Sequence, residues 1–131
     1  MTINNFSIGD KFQYLGREAM CVPFLRRRRA YSINAIDIRT GFPLYIPNER
    51  ELRPIEYSFS YVPQDFTEYF SNLFIGDKFL YGNKPLIKCI SFIDSKLDRI
   101  DAFCLDDGRA YRILDDEEVH PLYVKRKEYS K

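Results

Sequence analysis

The chain has 131 residues, 45% of them apolar, with 11 Phe, 10 Tyr and no Trp. That length holds one ordinary domain or two very small ones and excludes a multidomain enzyme, while the apolar share excludes a disordered chain. Lys and Arg total 20 against 19 Asp and Glu, so no whole-molecule field draws the protein to nucleic acid or to an anionic membrane, and any such affinity must be local.

The N-terminal stretch MTINNFSIGD has no charged segment leading into an apolar one, and no run of about 18 apolar residues occurs. The expectation is a cytoplasmic, or at least intracellular, protein without a membrane partner. Cys21, Cys89 and Cys104 form no closely spaced pair and have only His120 for company, which suits a reducing compartment and argues against a structural zinc site.

The first predicted elements follow IGDKFQY at 8–14. KFQY reads as a short strand, Leu15–Gly16 as a turn, and REAMCVPFL as a longer strand. SINAIDI, a turn at Thr40–Gly41, FPLYI and ELRPI complete a run of short strands joined by tight turns.

A shift of 67 positions lays this segment over a second one, IGDKFLY at 75–81. Asn5, Ile8, Gly9, Asp10, Lys11, Phe12 and Tyr14 coincide with Asn72, Ile75, Gly76, Asp77, Lys78, Phe79 and Tyr81. Ile33, Ala35, Gly41, Ile46, Glu51 and Pro54 coincide with Ile100, Ala102, Gly108, Ile113, Glu118 and Pro121, without a gap from 5–55 to 72–122. This recurrence reads as an internal duplication. Gly9 and Gly76 supply a sharp turn, Asp10 and Asp77 bond nearby amides, and Phe12 and Phe79 enter the core, so the repeated motif is architectural.

Between the copies, EYSFSYVPQDFTEYFSN at 56–72 is aromatic and lacks linker composition. Asp65 as an N-cap, with Phe66, Tyr69 and Phe70 at helical spacing, predicts a short helix packed on the repeats. In the second copy, KFLY, a turn at Gly82–Asn83, KPLIKCISFI, RIDAFCL, a turn at DDG, RAYRIL and EEVHPL repeat the plan. The expected organisation is a first repeat over 1–57, an ordered connector over 58–71, a second repeat over 72–124 and a basic tail over 125–131.

The pattern G-D-x-F-x-Y, a glycine turn, a β-prone run, an A-x-D or A-x-C strand, a second glycine turn and a closing E-x-x-P resembles SH3-like small β-barrels of the Tudor or KOW type. It covers both repeats, and it implies a mainly β chain of two tandem SH3-like barrels about a pseudo-twofold, with a short helical or aromatic connector.

The sharpest candidate site is the run Arg26, Arg27, Arg28 and Arg29, followed by Tyr31; its counterpart at 93–96 is IDSK, so the repeated fold does not require it. Guanidinium groups clamp phosphates and a tyrosine ring stacks on a base; in the alternative, the arginines pair with Asp37, Glu49 or Glu51. Lys125, Arg126 and Lys127 form a second basic segment, read as a solubilising tail that gains weight if it lies beside the arginines.

DDEE at 115–118 lacks the spacing of a calcium loop and reads as a solvated turn. His120 has Arg53 as its counterpart, and nothing nominates a nucleophile beside it. The three cysteines read as small core residues. With no catalytic motif present, the expected function is a non-catalytic, cofactor-free module, monomeric or homodimeric, that binds nucleic acid or a nucleoprotein complex through the arginines. The rival is a protein-binding inhibitor or adaptor, of the kind a phage or mobile element encodes, acting through strand edges and tyrosines. A small ligand between the repeats is a third reading.

Overall fold

A computed structural model describes residues 1–27, 30–55, 57–96 and 98–128, with only the backbone for 57–59 and 123–128. The chain is mainly β. The first half gives β1 (Lys11–Tyr14), β2 (Arg17–Leu25), β3 (Ile33–Asp37), β4 (Pro43–Leu44) and β5 (Arg53–Pro54), an antiparallel sheet ordered β4-β3-β2-β1-β5. The remainder gives β6 (Tyr57–Pro63), β7 (Glu68–Tyr69), β8 (Lys78–Tyr81), β9 (Lys84–Ile93), β10 (Arg99–Cys104), β11 (Ala110–Tyr111) and β12 (Glu118–Glu128). Its sheet runs β11-β10-β9-β8-β12-β6, with β7 beside the start of β12. Among the described residues no helix is long and apolar enough to cross a membrane.

Neither sheet closes on itself, so the two barrels expected from strand economy are open sheets here. The strands that closure requires are too short: β4, β5 and β11 have two residues each. Elements nevertheless recur at the 67-residue spacing. β1 and β8 coincide end to end, β4 falls on β11, and the 3-10 turn Ile3–Asn5 falls on Phe70–Asn72.

Three apolar clusters hold the fold. One belongs to the first sheet, around Phe12, Ala35 and Ile46, and one to the second, around Phe79, Ala102 and Ile113. The third lies between the sheets and draws equally on both: Met20, Val22, Ile33, Ile36 and Ile38 with Ile87, Cys89, Ile100, Phe103 and Leu105. Each of the first five stands 67 positions before its partner in the second set. Part of the apolar face of each sheet is thus covered by the equivalent positions of the other, which gives two sets of short strands the burial that either lacks alone.

The repeated IGDKF motif makes the same bonds twice. Gly9 N donates to Cys21 O at 2.8 Å and Gly76 N to Lys88 O at 2.8 Å. Asp10 and Asp77 accept from Ser7 N and Phe74 N, each at 2.8 Å. Both glycines have positive φ, and each packs against a hairpin of the opposite half: a Cβ on Gly9 would lie 3.0 Å from Asp106 O, and one on Gly76 3.0 Å from Arg39 O. Lys11 Nζ also crosses, donating to Leu105 O at 2.6 Å.

Two expectations are corrected. Residues 57–63, assigned mostly to a connector with a helix after it, form strand β6, and the helix over Phe66–Phe70 is replaced by β7 and a 3-10 turn. Phe66 and Tyr69 are exposed and only Phe70 is buried, so no apolar helical face exists to dock. The segment from 125, read as a basic tail, carries the end of a strand: β12 continues to Glu128, paired with β6 from Leu122↔Pro63 to Glu128↔Tyr57. Residues 129–131 lie outside the described residues.

Candidate nucleic-acid interface at the end of the shared core

β2 ends at Leu25, whose side chain packs on the shared core, and the chain then meets the turn that follows β9. Arg26 O accepts from Ser95 N at 2.8 Å, and Arg27 pairs with Asp94 in an isolated antiparallel bridge. Arg27 and Asp94 are themselves 67 positions apart. Positions equivalent under the 67-residue shift thus pair with each other, and this site sits where the end of β2 meets the turn after β9.

Arg27 is held on three sides. Its Nε donates to Tyr31 O at 2.9 Å, its guanidinium lies 4.3 Å from the Tyr31 ring centroid, and the Phe92 ring is 5.9 Å away. The stack fixes a positive charge against an aromatic face. Tyr31 is still 66% exposed, leaving ring surface for another planar group, and Phe24 nearby in β2 is exposed as well. Arg26 is exposed at the same strand end. Arg28 and Arg29 lie outside the described residues.

The opposing turn is built on Asp94, which is buried. Its Oδ1 accepts from Lys96 N and Asp98 N, both at 2.9 Å, so this carboxylate is committed to the turn. A groove of about 270 Å³ lined by Phe24, Leu25, Arg26, Asp94, Ser95 and Lys96 runs along the seam. Of the acidic partners proposed for the arginines, Asp37 binds Arg17 and the amides of Arg39 and Thr40, and Glu51 binds the Met1 amine. They serve other contacts.

The other expected positions fall elsewhere. Lys125, Arg126 and Lys127 lie in β12, in register with Ser60, Phe59 and Ser58 of β6. His120 is exposed on β12 opposite Leu80, and the 115–117 segment is a turn whose Asp115 O and Glu117 O receive Ser71 N and Phe70 N. All three cysteines are buried, and burial pushes the Cys89 thiol up to about 12. No group of three metal-ligating side chains occurs among the described residues.

A larger groove, about 550 Å³, lies between the first sheet, β6 and the Asp106 turn. Lys11, Asp10 and Tyr61 line it; burial lowers the Lys11 pKa and pushes Tyr61 up to about 12. Lys11 and Asp10 already serve the fold, since Lys11 holds Leu105 O and Asp10 holds Ser7 N. Phe92 and the Asp94 turn were not singled out from the sequence. The signal was present in the repeat, because the 67-residue shift takes Leu25 to Phe92 and Arg27 to Asp94.

No family model, curated protein or solved structure matches the chain.

Proposed function

We propose that this chain is a non-catalytic nucleic-acid-binding module made of two tandem SH3-like units from an internal duplication, and that it binds through the Arg26–Tyr31 segment. The recurrence of strands, turn bonds and core positions at one spacing supports the duplication. The observation that carries the binding reading is the Arg27–Tyr31 stack: a guanidinium is held on an aromatic ring that remains largely open. Such a pair offers a phosphate contact and a stacking surface together, the two elements of single-strand recognition. The basic run occurs in one half only, so the scaffold does not demand it.

Fluorescence anisotropy with labelled single-stranded and duplex DNA and RNA at two salt concentrations tests this. Tyr31→Ala removes the stacking face and is expected to weaken single-strand binding by about 1–3 kcal/mol. Arg26→Ser is expected to lower the salt dependence by about one contact. Unchanged affinity and salt slope in both variants would retire the reading.

A protein partner is favoured by a different feature. Phe42, Phe74 and Ile75 are exposed and flank Gly41 and Gly76, which touch across the junction of the two halves. An exposed aromatic cluster of this kind suits a protein interface. Phe74→Ser would abolish a stoichiometric, nuclease-resistant complex under that reading and leave nucleic-acid binding intact.

A further inference from the structure

The groove beside Arg26 does not end at the Asp94 turn. On the other side of Leu25 and Asp94, which wall both, a second groove of about 340 Å³ opens, walled also by Asp98, Arg99, Tyr111 and Arg112. Arg99 starts β10, Tyr111 ends β11 at the edge of the second sheet, and Arg112 follows it. Tyr111 is held in place, because its hydroxyl accepts from Lys84 Nζ at 2.9 Å and the Tyr81 ring lies 6.3 Å from its own. Arg99 is committed to the fold, with Nε on Asp101 at 2.7 Å and a terminal nitrogen 3.8 Å from Asp115. Arg112 is exposed and, like Arg26 and Lys96 in the first groove, has no ion pair among the described residues. Asp94 is spent on the amides of Lys96 and Asp98, which leaves Asp98 as the acidic wall residue whose side chain has no bond among the described residues.

We propose that a single nucleic-acid strand crosses the rib formed by Leu25 and Asp94, placing successive nucleotides in the two grooves and a phosphate on Arg112. The inference rests on the nucleic-acid reading above and adds a second subsite and the strandedness of the ligand. Two features favour this occupant. An aromatic wall with an unpaired cation occurs in each groove, Phe24 with Arg26 and Lys96 in one and Tyr111 with Arg112 in the other. A strand repeats a planar base and an anionic phosphate in the same way. Volumes of about 270 and 340 Å³ also stand at the small end of ligand pockets, the scale of one nucleotide each. A base stacked and paired inside a duplex is not free to enter either groove.

The test uses the full chain and labelled single strands of DNA and RNA of about 12 nucleotides, titrated by fluorescence anisotropy over a salt series. The variants are Arg112→Glu, Asp98→Asn, Arg26→Ser with Tyr31→Ala, and Arg53→Glu as a control on exposed β5, at the far edge of the first sheet. Arg112→Glu is expected to bind both strands about tenfold more weakly, with log affinity against log salt flattened by about 0.7, the share of one single-strand phosphate. Asp98→Asn removes a like charge from the path and is expected to bind about threefold more tightly. Arg53→Glu is expected to stay within about twofold of wild type. A gain in Asp98→Asn beside a loss in Arg112→Glu cannot come from unfolding. Equal losses in Arg112→Glu and Arg53→Glu would show a general field and overturn the proposal. Displacement of the strand by polyglutamate of equal total charge would overturn it as well, in favour of an acidic peptide. If wild type binds strands in a Tyr31-dependent manner while Arg112→Glu and Asp98→Asn match it, the second subsite falls and the Arg26–Tyr31 reading stands. If wild type binds neither strand, both fall.

Discussion

Cys89 shows how a residue's place in the core fixes its chemistry. It is 1% exposed in the shared cluster, and burial first, then the negative Asp101, pushes its thiol up to about 12 from 9.0. The folded state therefore holds this proton more tightly than the unfolded chain does. The stability it contributes is complete below about pH 9 and is lost as pH rises towards about 12. Cys89→Val places at 89 the residue found 67 positions earlier, Val22, and is expected to remove a slope of up to about 1.4 kcal/mol per pH unit in that window. Urea melts of both proteins between pH 8 and 10.5 measure it; parallel curves would show that the thiol does not carry the alkaline loss. Half-buried Lys11 and Lys78 have lowered pKa values and act in the opposite sense in both proteins, so the comparison isolates the cysteine.

At the scale of an element, the first hairpin carries a local conflict. Leu15 has φ 51 and is followed by Gly16 at φ 79, the pair of positive angles that a two-residue turn of this hand requires. A leucine in that region costs about 1–3 kcal/mol, and Leu15 is 71% exposed, so packing does not repay it. Leu15→Asn installs the preferred turn dipeptide and is expected to raise stability by about 0.5–1 kcal/mol in a chemical or thermal melt. A loss on substitution would mean that Leu15 serves a contact surface. The equivalent turn of the second half avoids the conflict, because Gly82 alone takes positive φ there.

The whole molecule depends on the cluster that the two sheets build together. Phe103 and Ile36 occupy equivalent positions in it, both with no exposed surface. Phe103→Ala is expected to cost about 3–5 kcal/mol. Since the cavity opens between the sheets, amide-exchange protection should fall in β2 and β3 as much as in β9 and β10. Protection lost only in the second sheet would show that the halves unfold independently. The same cluster explains why modules this small persist, as each half lends the other the apolar face it lacks.

Much of the fold was legible as local pattern. The turn glycines, the strand alternation and the 67-residue recurrence depend on neighbouring residues and on period, so β1 to β5 and β8 to β11 follow from the sequence with their turns in place. The arginine run was legible for the same reason, as was the burial of the cysteines in apolar strand runs. Tertiary structure alone decided what depends on contacts distant in the chain. The YSFSYV alternation became a strand because β12 lies beside it, and that partner also turned the Lys125–Lys127 segment from a tail into a ladder. Arg27 met Phe92 and Asp94 only because the two sheets pack through a shared cluster, which brings the end of β2 to the turn after β9. Propensity and period act over a few residues and are written in the sequence; the pairing of strands 65 positions apart, such as Ser60 with Lys125, is set by burial shared across the whole chain.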